Sequence, residues 1–418
     1  MKRLFTALLV SALLLSLPAC GRTESPVETP SQQEVPAPPA EALPEVPEEP
    51  ALPEPPPPTA EELEAAALEE RLASLSLEEK VGQLFFVRCP AENAVEDIQT
   101  YHLGGYLLFG RDFKDTAGSW LTREQFAETI QAYQTAALAD NGIPLLIGSD
   151  EEGGSVTRAS RNPNLFDRVF PSPQWLRNHQ QPDQGNLFVE DAWDKTGALL
   201  QLGINVNLAP VADVSTDPKD FIYDRSLGQD AEATAEYVRA VVSTITGCGM
   251  GSVLKHFPGY GNNVDTHTGI AIDQRPLDQF LAEDLLPFRS GVAAGVQPPF
   301  GQRAAVLVSH NIVTCMDENL PASLSPAVHE ILRKELDFDG VVMTDDLAME
   351  AVSAYAEDGA VAVMAIEAGN DLIITSDYRT QIPKVLEAVE SGRLSEETVD
   401  AACLRVLRWK VALGLLEP

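Results

Sequence analysis

The sequence predicts an α/β protein, a single (β/α)8 TIM-type barrel preceded by a signal peptide and a disordered Pro/Glu-rich tether. Three observations predict it. Eight apolar runs of strand length recur after residue 61, at 83–87, 105–109, 144–148, 204–208, 251–254, 304–308, 340–343 and 371–374. Their near-continuous hydrophobicity suits strands buried on both faces of a parallel sheet, and stretches with helical periodicity separate them. The later runs end in polar or charged residues, as barrel strands do where they converge on one rim. A doubly wound open sheet is the alternative, but no Gly-x-Gly-x-x-Gly follows the first run.

The elements follow in order. Lys2 and Arg3 precede an apolar run over 4–17 and then Pro18, Ala19 and Cys20, the pattern of an export signal. The run is too short to span a bilayer as a helix. Leu17-Pro18-Ala19-Cys20 resembles the bacterial lipobox, which implies lipidation at Cys20; ordinary secretion with cleavage near Ala19 is the alternative. Residues 21–60 hold 13 prolines and eight glutamates against one basic residue, Arg22. Such a segment lacks apolar area to bury and reads as an extended, PPII-rich spacer. The folded domain is expected over 61–418. Ser76-x-x-Glu79 reads as a capping box ahead of the first strand. A Glu/Ala-rich helix is expected over 230–246. An amphipathic helix from about Ser395, with Val399, Cys403, Val406 and Leu407 on one side, ends near Gly414.

Net charge is −34, of which the leader carries +2 and the tether −7, leaving −29 on the folded part. An acidic surface of that size repels phosphate backbones and anionic lipid heads, and so argues against nucleic acid and for a sugar or other small ligand. Apart from Cys20, the cysteines are Cys89, Cys248, Cys315 and Cys403. No pair has metal-ligand spacing, and they read as buried thiols, with one disulfide open to an exported chain.

The candidate chemistry sits at the run ends. Asp150-Glu151-Glu152-Gly153-Gly154 follows the third run. It could be a tight acidic turn, but two glycines suggest a backbone that must approach something closely, with Asp150 aimed at a polar ligand. Lys255 and His256 end the fifth run. Neighbouring strand residues face opposite ways, so both reach the mouth only if the strand ends or bulges there. Carboxylates around Lys255 would raise its pKa, the wrong direction for a Schiff-base amine, which favours hydroxyl binding. Asp265-x-His267 lies on the Gly/Pro/Asn-rich loop that follows. It could be a surface turn with a solvated imidazole, or a proton donor held by a carboxylate. Asp345 and Asp346 end the seventh run; one can cap the next helix while the other enters the rim, with Asp345 assigned to the pocket and Asp346 to the cap. A metal site from Asp150, His256 and Asp345 has no ligand spacing to select it.

Together these residues resemble glycoside hydrolase family 3, and within it the bacterial β-N-acetylhexosaminidase branch. The similarity runs over nearly all of 70–418 and is carried by five ordered blocks: 104–109; 150–158; 205–213 with Asp224-Arg225-Ser226-Leu227-Gly228; 255–267; and 340–349. The resemblance implies Asp345 as nucleophile, a covalent glycosyl-enzyme with retention, and His267 oriented by Asp265 as general acid/base. It implies that Asp150, Arg225, Lys255 and His256 hold the sugar hydroxyls, and that Arg158 supports Asp150 or the acidic turn.

The chain departs from the family pattern at several points. Tyr260 stands where His is common, the loop is one residue shorter, and Thr266 replaces Ser. Glu151 stands for Gln and Ser155 for Arg, both expected near the sugar. Many relatives carry a second domain; here the acid is expected from the barrel loop. The resemblance therefore implies an exported, lipid-anchored exo-β-N-acetylglucosaminidase acting on peptidoglycan fragments. It should work as a monomer without metal or cofactor, touching the membrane only through its lipid. A β-glucosidase or phosphorylase of the family, an inactive sugar-binding lipoprotein and a metal-dependent barrel hydrolase are the rivals.

Overall fold

Strands with apolar side chains on both faces bury each face against a different layer, and the sheet here does so throughout. A computed structural model describes residues 58–263, 271–349, 352, 355, 356 and 359–417. Seven strands, β1 (Phe86–Arg88), β2 (Gly105–Leu108), β3 (Leu146–Ser149), β4 (Val206–Asn207), β5 (Gly251–Phe257), β6 (Ala304–Val308) and β7 (Val342–Thr344), pair in chain order. Every pairing is parallel.

The eighth apolar run does not form a strand of its own but bridges both edges of this curled sheet. Leu372 pairs with Met343 of β7, and Ile373 with Phe85 beside β1. The Phe86 and Arg88 N–H groups donate to the carbonyls of Ile373 and Thr375 at 2.9 and 3.2 Å, and Thr344 N–H donates to Leu372 at 3.1 Å. β4 is also shorter than the run at 204–208. Asn205 and Asn207 replace ladder bonds with side-chain ones, Asn205 Oδ1 accepting from Ile147 N–H at 2.8 Å and Asn207 Oδ1 from Glu151 N–H at 3.0 Å.

Alternation along the strands separates two cores. Phe86, Leu107, Leu146, Val206, Val253, Leu307, Met343, Leu372 and Ile374 gather in one buried cluster inside the curl. Val87, Leu108, Ile147, Leu254, Val308 and Val342 join a second cluster under the surrounding helices. The interior is filled: a Cβ on Gly148 would lie 2.3 Å from Phe86 Cζ. This two-sided burial orients the rim, because the next inward position after each interior residue lies at the carboxyl ends of the strands.

Several helices begin where short polar side chains cap them. Ser76 and Glu79 form the expected capping box on Leu77–Gln83, Asp230 caps Ala231–Gly247, and Ser395 caps Glu396–Ala412, which stops before Gly414 at φ +70°. Thr59 and Glu62 form a further capping box on Ala60–Ser74, a helix that packs against Glu396–Ala412. The four cysteines after residue 58 are free thiols, and Cys248 and Cys315 are only partly buried, against the reading of all four as buried. No helix among the described residues is long and apolar enough to cross a membrane. Residues 1–20, the tether to residue 57 and Cys20 lie outside the described residues.

Candidate active site

Counting outward from the interior cluster, the inward rim positions are Arg88 after Phe86, Phe109 after Leu107, Asp150 after Gly148, Lys255 after Val253, Asp345 after Met343 and Ser376 after Ile374. Residues far apart in sequence therefore share one mouth. On the side of β3 to β5 they form a dense ion network. Lys255 Nζ donates to Asp150 Oδ1 at 2.6 Å and pairs with Glu152 Oε1 at 2.7 Å. Arg225 reaches the same Glu152 twice, Nε to Oε2 at 3.0 Å and Nη2 to Oε1 at 2.7 Å. Arg158 Nη2 stands 3.9 Å from Asp150 Oδ2.

Both Lys255 and His256 join this network because β5 bulges: its register with β6 shifts between Leu254 and Phe257. His256 Nδ1 lies 2.8 Å from Asp213 Oδ2, and His256 Nε2 lies 3.1 Å from Arg225 Nη2. A guanidinium only donates, so Nε2 accepts from Arg225 and the Nδ1–H is directed at Asp213. Tyr260 is buried with its ring edge-on to His256 at 5.2 Å, and its N–H donates to Asp213 Oδ1 at 2.7 Å.

Burial alone would strip charge from these groups, and proximity reverses that. Desolvation pushes the Glu152 carboxyl up, but Lys255 and Arg225 outweigh it and hold the pKa down at about 2. Desolvation likewise works against the Lys255 ammonium, and Asp150 and Glu152 overcome it, so its pKa is raised. This lysine is a fixed cation, as the sequence reading required.

The acidic turn departs from expectation. Glu151 is fully buried and turned away from the mouth. It accepts from the N–H groups of Arg158 and Ala159, each at 2.9 Å, and from the Ser160 hydroxyl, so it organises the turn Ala159–Arg161. Burial raises its pKa against these bonds. Ser155 is exposed. The close approach that Gly153 and Gly154 permit is to the protein's own chain: at φ +106° and +67°, their Cβ atoms would lie 2.1 Å from Pro171 O and 2.6 Å from Ser172 Cβ. The residue that faces the network is Glu152, and with Asp213 it is the site component that the sequence reading did not single out. The signals were present, an acidic triplet after one run and Asp213 closing the segment after another, but only the backbone path shows which carboxylate turns inward.

Asp345 lies at the end of β7, where its N–H donates to Val308 O at 3.0 Å and its Oδ1 accepts from Asp346 N–H at 2.8 Å. Asp346 Oδ1 accepts from Ala348 N–H at 3.0 Å. Burial raises the Asp346 pKa and the Asp345 charge adds to it. His310, fully buried, approaches Asp346 O with Nε2 at 3.1 Å and Ser323 Oγ with Nδ1 at 2.7 Å. Asp265 and His267 lie outside the described residues. The chain on either side is joined: Asn263 Nδ2 donates to Asp273 Oδ2 at 2.6 Å, and Arg275 bridges Asp273 and Asp284. Among the described residues no group of three or more His, Cys, Asp or Glu is arranged to hold a metal ion, so Asp150, His256 and Asp345 do not form such a set.

This arrangement, fixed cations and carboxylates on the same rim as a strand-end aspartate, coincides with likeness to known proteins. Residues 76–409 match the model of the glycosyl hydrolase family 3 N terminal domain. The β-hexosaminidase LpqI of Mycobacterium tuberculosis is 32% identical over 351 residues, covering 81% of this chain and 84% of that protein. A family 3 β-N-acetylglucosaminidase from a Paenibacillus species superposes with a TM-score of 0.72 at 32% identity, covering 82% of this chain but 63% of that one, less than two thirds of its length. A family 3 glycosyl hydrolase of Mycobacterium smegmatis gives 0.69 at 31% identity, with 83% and 99% covered. Asp150, Arg158, Arg225, Lys255, His256 and Asp345 all fall within the matched span, and the chain belongs to glycosyl hydrolase family 3.

Proposed function

We propose that the protein is a retaining exo-β-N-acetylglucosaminidase that removes terminal β-linked N-acetylglucosamine from glycans, with peptidoglycan fragments as its natural target. The observation that carries the reading is the buried network of Asp150, Glu152, Arg225, Lys255 and His256 on the same inward rim as Asp345, in a chain whose relatives include β-hexosaminidases. The curled sheet is read as a (β/α)8 barrel, with residues 371–375 as its eighth strand.

In the first step Asp345 attacks the anomeric carbon as the bond to the leaving oxygen breaks. His267, held by Asp265, protonates that oxygen. In the second, His267 takes a proton from water, the water oxygen bonds to the anomeric carbon, and Asp345 is released with overall retention. Asp150, Lys255, His256 and Arg225 hold the sugar, and their mutual bonds fix them before it arrives, so little reorganisation is left for the transition state. Arg158 positions Asp150. Replacing Asp345 with Asn should lower release of p-nitrophenol from the aryl β-N-acetylglucosaminide by about 10⁴-fold or more; unchanged turnover excludes Asp345 as nucleophile. Faster cleavage of the aryl β-glucoside, or a product bearing phosphate, would instead assign the enzyme to the rival activities.

The leader supports export and lipidation at Cys20, which would anchor the enzyme at the outer face of the cell membrane. A Cys20→Ser chain expressed with labelled fatty acid should carry no label, and equal labelling of both chains would exclude Cys20 as the acceptor.

A further inference from the structure

One guanidinium at the mouth stands apart from the rest. Arg88 closes β1 facing inward, one alternation beyond Phe86. Among the described residues no hydrogen bond or ion pair reaches its side chain, and its Nε is buried without a partner. Partners are not scarce in a chain with 63 carboxylates against 29 lysines and arginines. The nearby Asp112 is already engaged, accepting from Phe109 N–H at 2.7 Å and from Arg111 Nε at 3.1 Å. Arg379 is paired with Asp97. Arg88 instead lies over the Phe109 ring, 4.4 Å from its centroid, a cation–π contact that steadies the plane and leaves the N–H edge available.

Arg88 lines a cavity of 260 Å³ together with Arg111, Ser376, Tyr378 and Arg379. All of these residues follow β1, β2 or the 371–375 segment, so the cavity opens on the same rim as the sugar network. The link between the two is short. Arg158 lies 5.6 Å from the centroid of the same Phe109 ring and 3.9 Å from Asp150.

We infer that Arg88 is the centre of an anion-binding subsite that takes a carboxylate on the portion of the glycan that leaves. The inference rests on the exo-N-acetylglucosaminidase reading, since a terminal N-acetylglucosamine is neutral and any anion recognised beside it belongs to the remainder. The planar fork suits a carboxylate through two parallel N–H···O bonds.

The test compares kcat/KM for p-nitrophenyl β-N-acetylglucosaminide with that for its 3-carboxy-4-nitrophenyl counterpart. The wild-type enzyme should favour the carboxylated substrate by about 10- to 100-fold, the worth of one or two charge-assisted hydrogen bonds. Arg88→Gln should bring the ratio close to one, and Arg88→Lys, which keeps the charge without the fork, should give an intermediate value. A measurement that needs no variant guards against misfolding: the wild-type ratio should fall as NaCl is raised from about 0.1 to 1 M. Turnover of both substrates with a ratio that ignores salt and Arg88 overturns the subsite alone. Turnover of neither overturns the exo-glycosidase reading and the subsite with it. Glycosyl phosphate formed with inorganic phosphate in the wild type but not in Arg88→Gln would show the anion to be a nucleophile, and would overturn the assignment to the leaving portion.

Discussion

Lys255 at the mouth and Lys410 at the opposite end of the sheet are both buried, yet their surroundings shift their pKa values in opposite directions. Lys255 touches Asp150 and Glu152, and the two carboxylates raise its pKa against the cost of burial. Among the described residues the Lys410 side chain has a single hydrogen bond, to Gln83 Oε1 at 2.7 Å, and burial lowers its pKa from 10.5 to about 7. The difference lies in what the two ends of the sheet are for. At the carboxyl ends the fold concentrates charges that compensate one another and would be costly to bury singly. At the amino ends it buries an amine as little more than a hydrogen-bonding hydrophobe.

The comparison can be broken by changing each lysine in turn. Lys255→Met leaves Glu152 and Asp150 short of a cation inside the protein. A loss of about 3–5 kcal/mol in unfolding free energy is expected by denaturant titration, together with loss of turnover. Lys255→Arg should fold better but stay impaired, since a planar fork cannot reproduce a compact ammonium between two carboxylates. A smaller change is expected for Lys410→Met, within about 1–2 kcal/mol at pH 7, because the swap conserves volume and removes one hydrogen bond and no ion pair.

The pH dependence sharpens the contrast. A lysine whose folded pKa lies below its unfolded value binds fewer protons in the folded state, so the fold gains stability as pH rises. For Lys410 that gain spans about pH 7, its folded value, to 10.5, and is flat below 7. The melting temperature of Lys410→Met should therefore rise less steeply than wild type across this window. Equal slopes would show that Lys410 is not held neutral by burial.

Much of this was legible in the sequence because burial on both faces leaves an uninterrupted apolar run, and the runs at 251–254 and 304–308 sit on β5 and β6. Where side chains take over backbone bonds the reading failed. Asn205 and Asn207 shorten β4, a departure that hydrophobicity does not signal. Glu151 was expected near the sugar but lies buried on the N–H groups of Arg158 and Ala159, because Gly153 and Gly154 fold the turn onto Phe170–Ser172. Part of the strong negative charge is likewise spent inside. Glu152, Asp213, Asp273 and Asp284 are buried beside cations or imidazoles instead of making up an acidic surface. That Lys255 and His256 reach one mouth only if the strand ends or bulges was legible, and the register shift between Leu254 and Phe257 shows that it bulges. Arg88 gave no sign, since an arginine after an apolar run reads as an ordinary strand end until its lack of a partner is seen.

The central claim is that Asp345 is the residue that bonds to the sugar. Incubation with 5-fluoro-β-N-acetylglucosaminyl fluoride, whose leaving group departs faster than the glycosyl-enzyme is hydrolysed, followed by proteolysis and mass spectrometry, tests it directly. One added 5-fluoro-N-acetylglucosaminyl unit is expected, on Asp345. A label on Asp346, on Asp150 or on no residue of a chain that still turns the compound over would contradict it.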